Sequence, residues 1–153
     1  MRVSSRVHYG VRAMSQIARS SDARPVSLSE IAAVEHLPLP YLEQLFAPLR
    51  RANLVEGTRG AHGGYRLTRA ATDITVGDIV RALEPEALAP VECLLDTYIA
   101  GSCMVEGDCA SRPLWNRVKE AADRVLDATS LADLERDRAS TSSTKGIAVA
   151  RND

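Results

Sequence analysis

No apolar run in this 153-residue chain approaches the roughly 20 residues that cross a bilayer, so no membrane span is expected. The opening Met1-Arg2-Val3-Ser4-Ser5-Arg6 leads into an amphipathic stretch rather than an apolar signal core. Export is therefore not expected, and the expected compartment is the cytoplasm. A Ser/His/Asp or Cys/His constellation, a phosphate loop and a paired-carboxylate motif are all missing, which leaves an enzyme without support. Cysteine is scarce and odd in number: Cys93, Cys103 and Cys109 share one short segment. That is a poor disulfide framework and looks more like a ligand set or a redox switch.

The length suits one compact domain with a small appendage. With 45% hydrophobic and 25% charged residues, the chain has an ordinary globular composition. Its net charge of −1 does not suggest a polyanionic partner, but the distribution does. Residues 1–70 carry ten arginines, no lysine and five acidic groups, a balance of +5; residues 71–153 carry −6. A basic first half and an acidic second half suggest a nucleic-acid face on the first and another task for the second.

The first half reads as helices. Over residues 4–20, Val7, Val11, Met14, Ile17 and Ala18 recur at helical spacing. Pro25 stops any continuation of that helix. Ser27-Leu28-Ser29-Glu30 matches a capping box that opens a short helix from Leu28 to about Val34. After the tight connection Glu35-His36-Leu37-Pro38, a helix from Leu39 to about Ala52 buries Leu42, Leu45, Phe46 and Leu49. Two short helices so joined are a helix-turn-helix. Leu54–Thr58 and Tyr65–Thr68 are strand-like, and the glycines between them permit a hairpin tip, which makes this hairpin a wing. Pro48 is a departure: inside the second helix it removes the amide that would bond to Gln44, so a kink or an early end is expected, leaving the reach of Arg50 and Arg51 open.

In the second half, Thr75 caps a helix over 75–84. Residues 85–111 hold the cysteines in a loop. The longest helix runs from Arg112 to about Thr129 with Leu114, Val118, Ala121 and Val125 in one stripe and Trp115, Ala122 and Leu126 in the next. So wide an apolar face fits a twofold partner better than a small domain. A last short helix is expected from Leu131 to about Arg136. The expected fold is mainly α with a small β wing: a winged helix-turn-helix domain over 1–84, the cysteine loop over 85–111, dimerisation and C-terminal helices over 112–137, and a disordered tail over 138–153.

Met1-Arg2-Val3-Ser4, Tyr41-Leu42-Glu43-Gln44-Leu45-Phe46, Leu49-Arg50-Arg51-Ala52-Asn53-Leu54-Val55, Arg59-Gly60-Ala61-His62-Gly63-Gly64-Tyr65, Ile74-Thr75-Val76-Gly77-Asp78-Ile79 and Leu114-Trp115 together resemble the Rrf2 family of bacterial regulators over about 1–137. The resemblance implies a dimeric repressor or activator of promoter DNA. In many members the cysteine loop carries an iron–sulfur cluster, 2Fe–2S or 4Fe–4S, which would place Cys93, Cys103 and Cys109 as ligands here. The first gap is longer than is usual in such members. Some of them use a histidine three residues after the last cysteine, where this chain has Arg112. In others the fourth ligand comes from the partner's first helix, at the position of His8.

On the DNA side, Pro40, Tyr41 and Gln44 open the expected recognition helix, and Gln44 suits bidentate pairing with adenine. Tyr41 is equally a packing tyrosine. Glu43 suits cytosine N4 or the repulsion of wrong sites. Arg50 and Arg51 suit phosphate, and Arg59 and His62 suit the minor groove or its backbone. Three functions stay open: a cluster-sensing regulator, a cluster-free regulator using the cysteines as thiol sensor or zinc site, and an adaptor for a partner enzyme.

Overall fold

The computed structural model describes residues 3–20, 24–60 and 63–148. Helix α1 (Ser5–Ser20) buries Val7, Ala13, Met14 and Ile17. Its start is capped by Ser4, whose Oγ accepts the Val7 amide at 3.2 Å and whose hydroxyl donates to Glu84. Helix α2 (Leu28–Glu35) opens on the expected box: Ser27 Oγ accepts the Glu30 amide at 3.2 Å, and the Glu30 carboxylate accepts the Ser27 amide at 2.9 Å. It closes on His36 in the left-handed region (φ 54), and that turn sets the angle at which helix α3 (Leu39–Arg51) leaves.

Pro48 does not end α3. The helix runs on to Arg51, with Leu45, Phe46 and Leu49 buried on either side of the proline, and its carbonyl accepts the Ala52 amide at 2.9 Å. Strands β1 (Val55–Thr58) and β2 (Gly64–Leu67) pair antiparallel, Val55 opposite Leu67. Tyr65 also exchanges backbone bonds with Val26 at 2.7 and 2.8 Å, so the wing is stitched to the chain just ahead of α2. Gly64 makes that approach possible, because a Cβ there would stand 2.5 Å from the Val26 carbonyl.

Helix α4 (Val76–Leu83) opens on a second capping box, Thr75 with Asp78. The core gathers α1, α3, the wing base and α4: Met14, Ile17, Leu42, Leu45, Phe46, Leu49 and Ile79 are all buried. Each such side chain contributes about 1.5–3 kcal/mol of burial. Residues 84–111 are turns with two 3-10 segments, Glu92–Leu94 and Glu106–Asp108. Helix α5 (Arg112–Ala128) follows and has no buried residue. Helix α6 (Leu131–Ala148) packs on α1 through its first turns.

The last helix is longer than the expected stop near Arg136. Beyond Arg136 the sequence itself, Asp137-Arg138-Ala139-Ser140-Thr141, has no apolar stripe. Local bonds carry it on: Arg136 to Asp133, Arg138 to Glu135, and the Ser140 and Thr141 hydroxyls to the Asp137 carbonyl. The part of the expected tail that follows Ala148 lies outside the described residues.

Candidate nucleic-acid interface and cysteine loop

Helix α3 presents two faces. Leu42, Leu45, Phe46 and Leu49 lock one into the core, which fixes the other outward. Pro38, Leu39, Pro40, Glu43, Gln44, Arg50 and Arg51 are exposed on it. Gln44 stands one turn after Pro40, and the two arginines form the last turn, where cations complement the helix dipole. Tyr41 is half-buried, its ring edge-on to Tyr9 at 6.2 Å, so its ring packs between α1 and α3. Arg59 is exposed at the wing tip beside Gly60, which takes φ 118 to turn the hairpin. His62 lies outside the described residues.

An ion-pair chain runs behind this face. Arg69, just past β2, donates to the Asn53 carbonyl at 3.5 Å beyond the end of α3 and to Asp78 at 3.1 Å. Asp78 also meets Arg81 at 3.6 Å, and Arg81 meets Asp127 of α5 at 2.6 Å. Burial would raise the Asp78 carboxyl, but the Thr75 amide and Arg69 together hold it below its ordinary value. Arg69 and Arg81 do not stand out in the sequence, and Asp78 appears there only within the family motif, because the Arg69–Asp78 and Arg81–Asp127 pairings join separate stretches of chain.

The cysteine loop is shaped by one carboxylate. Glu106 accepts the Gly101 amide at 2.5 Å and the Tyr98 hydroxyl at 3.0 Å, and Arg112 lies 3.6 Å away. Those bonds, the Gly101 amide first, hold its carboxyl below the usual range. Arg112 also donates to the Cys93 carbonyl at 3.5 Å, so the first residue of α5 touches both ends of the loop. Glu106 carries no signal in the sequence, since an irregular loop has no period to read.

Cys93 and Cys109 are half-buried and Cys103 is exposed; all three are free thiols. Cys109 Sγ lies 3.4 Å from the Ser111 hydroxyl. That contact, followed by the backbone amides of Arg112 and Ser111, pulls its thiol below the ordinary value. His8 is exposed on α1, its ring 5.1 Å from that of Tyr9. Among the described residues, no three His, Cys, Asp or Glu side chains converge. His8 and the cysteines thus form no joint ligand group within one chain. It borders a groove of about 910 Å³ instead, whose walls include Val7 and Val11 of α1, Val80 of α4, and Ala122 and Val125 of α5.

The chain as a whole is similar to known regulators. The HTH-type transcriptional regulator CymR of Bacillus subtilis is 42% identical, over 88% of this chain and 89% of its own length. The HTH-type transcriptional regulator IscR of Vibrio atlanticus is 34% identical over 90% of this chain and 76% of its length. Among solved structures, CymR, the global cysteine regulator of B. subtilis, superposes with a TM-score of 0.72 at 39% identity, covering 88% of this chain and 95% of that one. T. potens IscR does so at 0.72 and 40%, covering 90% and 88%. The described fold is that of these winged-helix regulators, and no helix among the described residues is long and apolar enough to cross a membrane. A family model described as Rrf2, iron-dependent transcriptional regulator, matches residues 3–137: the chain belongs to the Rrf2 family of transcriptional regulators.

Proposed function

We propose that this regulator works as a homodimer that reads promoter DNA with α3 and senses its signal through an iron–sulfur cluster on the cysteine loop. The observation that carries the proposal is the position of the loop: three thiols stand between a winged-helix reading head and a helix with no buried residue. The donor set fits in kind. Thiolates are the usual cluster ligands, and Cys109 is already biased toward its thiolate. Cys93, Cys103 and Cys109 would hold the group; Arg112 is a permanent cation and cannot complete it, and His8 of a second copy is the fourth donor that the family resemblance implies. Bound there, the cluster would supply a centre sensitive to oxidants, nitric oxide or iron supply.

The remaining parts belong to the chain. Glu106 holds the loop against Arg112, so a change of loop shape is felt at the first turn of α5. Leu114, Trp115 and Val125 of α5 are 47%, 37% and 64% exposed, and Val125 lines the apolar groove beside α1, where a second copy's α5 would be covered. From α5 the Asp127–Arg81–Asp78–Arg69 chain leads to the end of α3. Such a connection can alter the spacing of two reading helices, which a twofold operator measures.

Anaerobic purification tests the proposal. Visible absorbance with matching iron and sulfide is expected, together with promoter binding that weakens steeply as salt rises. Colourless, iron-free protein that still binds DNA overturns the cluster. A second reading then takes its place: the exposed Cys103 and the acidified Cys109 favour a thiol sensor.

A further inference from the structure

The first turn of α3 is chemically unusual for a reading helix. A helix normally opens with free amides and a capping oxygen, which suit phosphates. Here the cap is Pro38 with no side-chain bond, and Pro40 is the second helical residue. Neither proline has an N–H. The Tyr41 and Leu42 amides are both turned back onto the Pro38 carbonyl, at 3.0 and 3.2 Å. Of the backbone donors at the tip, only the Leu39 amide is left, and residues 38–40 offer no polar side-chain atom. The tip is therefore apolar.

Leu39 projects from it. Every other leucine of α3, at 42, 45 and 49, is fully buried, whereas Leu39 is 39% exposed. It stands one turn before Glu43 on the outward edge and beside Pro40, which is one turn before Gln44. The core does not account for its position. In the major groove, the apolar feature that distinguishes one base from the others is the 5-methyl group of thymine.

We propose that Leu39 is a specificity-determining residue that reads a thymine 5-methyl group in each half-site, next to the base contacted by Gln44. This rests on α3 being the reading helix. Glu43 does not substitute for it: a carboxylate accepts from cytosine N4 and meets only the O4 acceptor of thymine. The two residues therefore address different bases.

The test uses the full-length protein and duplexes selected from a random pool with it. Each thymine of the selected half-site is replaced, one at a time, by deoxyuridine, which lacks only the methyl group. One position per half-site should weaken wild-type binding about fourfold, the value of one buried methyl-sized group. Leu39→Ala should bind the thymine and uracil duplexes alike, while Leu39→Met should keep the discrimination. Thermal melting of each variant shows that the fold is intact, as expected for an exposed residue.

If no thymine is sensitive, or if Leu39→Ala retains the wild-type discrimination, Leu39 is not the reader. Gln44→Ala separates the two levels. If it changes base preference while Leu39→Ala does not, only the Leu39 proposal falls. If neither variant changes preference, α3 is not the reading helix and both fall together.

Discussion

The Arg12 guanidinium lies 2.5 Å from Oε2 of Glu35, a carboxylate whose side chain is only 5% exposed and whose other oxygen takes the Gln16 amide, also at 2.5 Å. This pair fastens the end of α2 to the middle of α1, so the turn that aims α3 is anchored from outside the helix-turn-helix. Arg12→Ala leaves a buried charge with a single neutral partner, and the expected cost is about 1–3 kcal/mol. Arg12 itself is half-exposed, so water replaces part of what is lost and the lower end is expected. Urea unfolding reads the change. A wild-type midpoint in Arg12→Ala means that the pair does not anchor α2.

Acid should loosen the same region. Arg24, then the Ser27 amide, hold the partly exposed Glu30 carboxyl at about 2, against 4.5 for the free group. A depressed folded value means that Glu30 stabilises the fold above pH 4.5, and that this contribution is lost as pH falls toward about 2. Glu30→Gln should therefore lose less stability than wild type across that interval, as followed by helical circular dichroism. Parallel acid curves would show that the capping box titrates alike in both states.

Assembly should depend on α5. Val125→Asp or Val118→Asp is expected to give monomers and to weaken operator binding. Sedimentation checks the first outcome and DNA titration the second. A Val125→Asp protein that sediments as a dimer and binds normally removes α5 from the interface.

Base reading and general attraction should separate. Gln44→Ala is expected to cost about 1–3 kcal/mol at one base pair per half-site and to relax preference there. Arg59→Ala should weaken all duplexes alike and flatten the salt dependence. Uniform weakening by Gln44→Ala would move Gln44 from the bases to the backbone.

For the loop, Cys93→Ala, Cys103→Ala and Cys109→Ala should each abolish or sharply destabilise the visible absorbance, while His8→Ala shifts the spectrum or hastens iron loss. Coloured, iron-bearing protein in all three cysteine variants refutes the ligand set. Wild-type behaviour in His8→Ala alone keeps the cysteines and moves the fourth ligand elsewhere.

What the sequence reveals follows from how local each device is. The Ser27–Glu30 box, the Thr75 cap, the buried stripe of α3 and the broad stripe of α5 all lie within a few residues or a few turns, so spacing alone exposes them. Pro48 misleads in part, because the local cost of a proline is visible while the core contacts that carry the helix past it are not. Helix α6 is missed beyond Arg136 because polar bonds three or four residues apart leave no hydrophobic period. The Glu106 contacts and the Arg69–Asp78 and Arg81–Asp127 links join distant or irregular segments, and no pattern along the chain marks them. Tyr41 has a polar tip and an apolar ring, and only the position of Tyr9 shows that the ring packs.

Helix α5 has seventeen residues and none buried, so a single chain leaves an entire helix without a core of its own. A regulator that needs a second chain to cover that helix responds to its own abundance. Below the concentration at which pairs form, the amount of reading-competent protein rises with the square of the number of chains rather than in proportion to it. If α5 is the dimer interface, halving synthesis would cut the occupancy of an unsaturated promoter by more than half, a threshold independent of any signal at the cysteine loop.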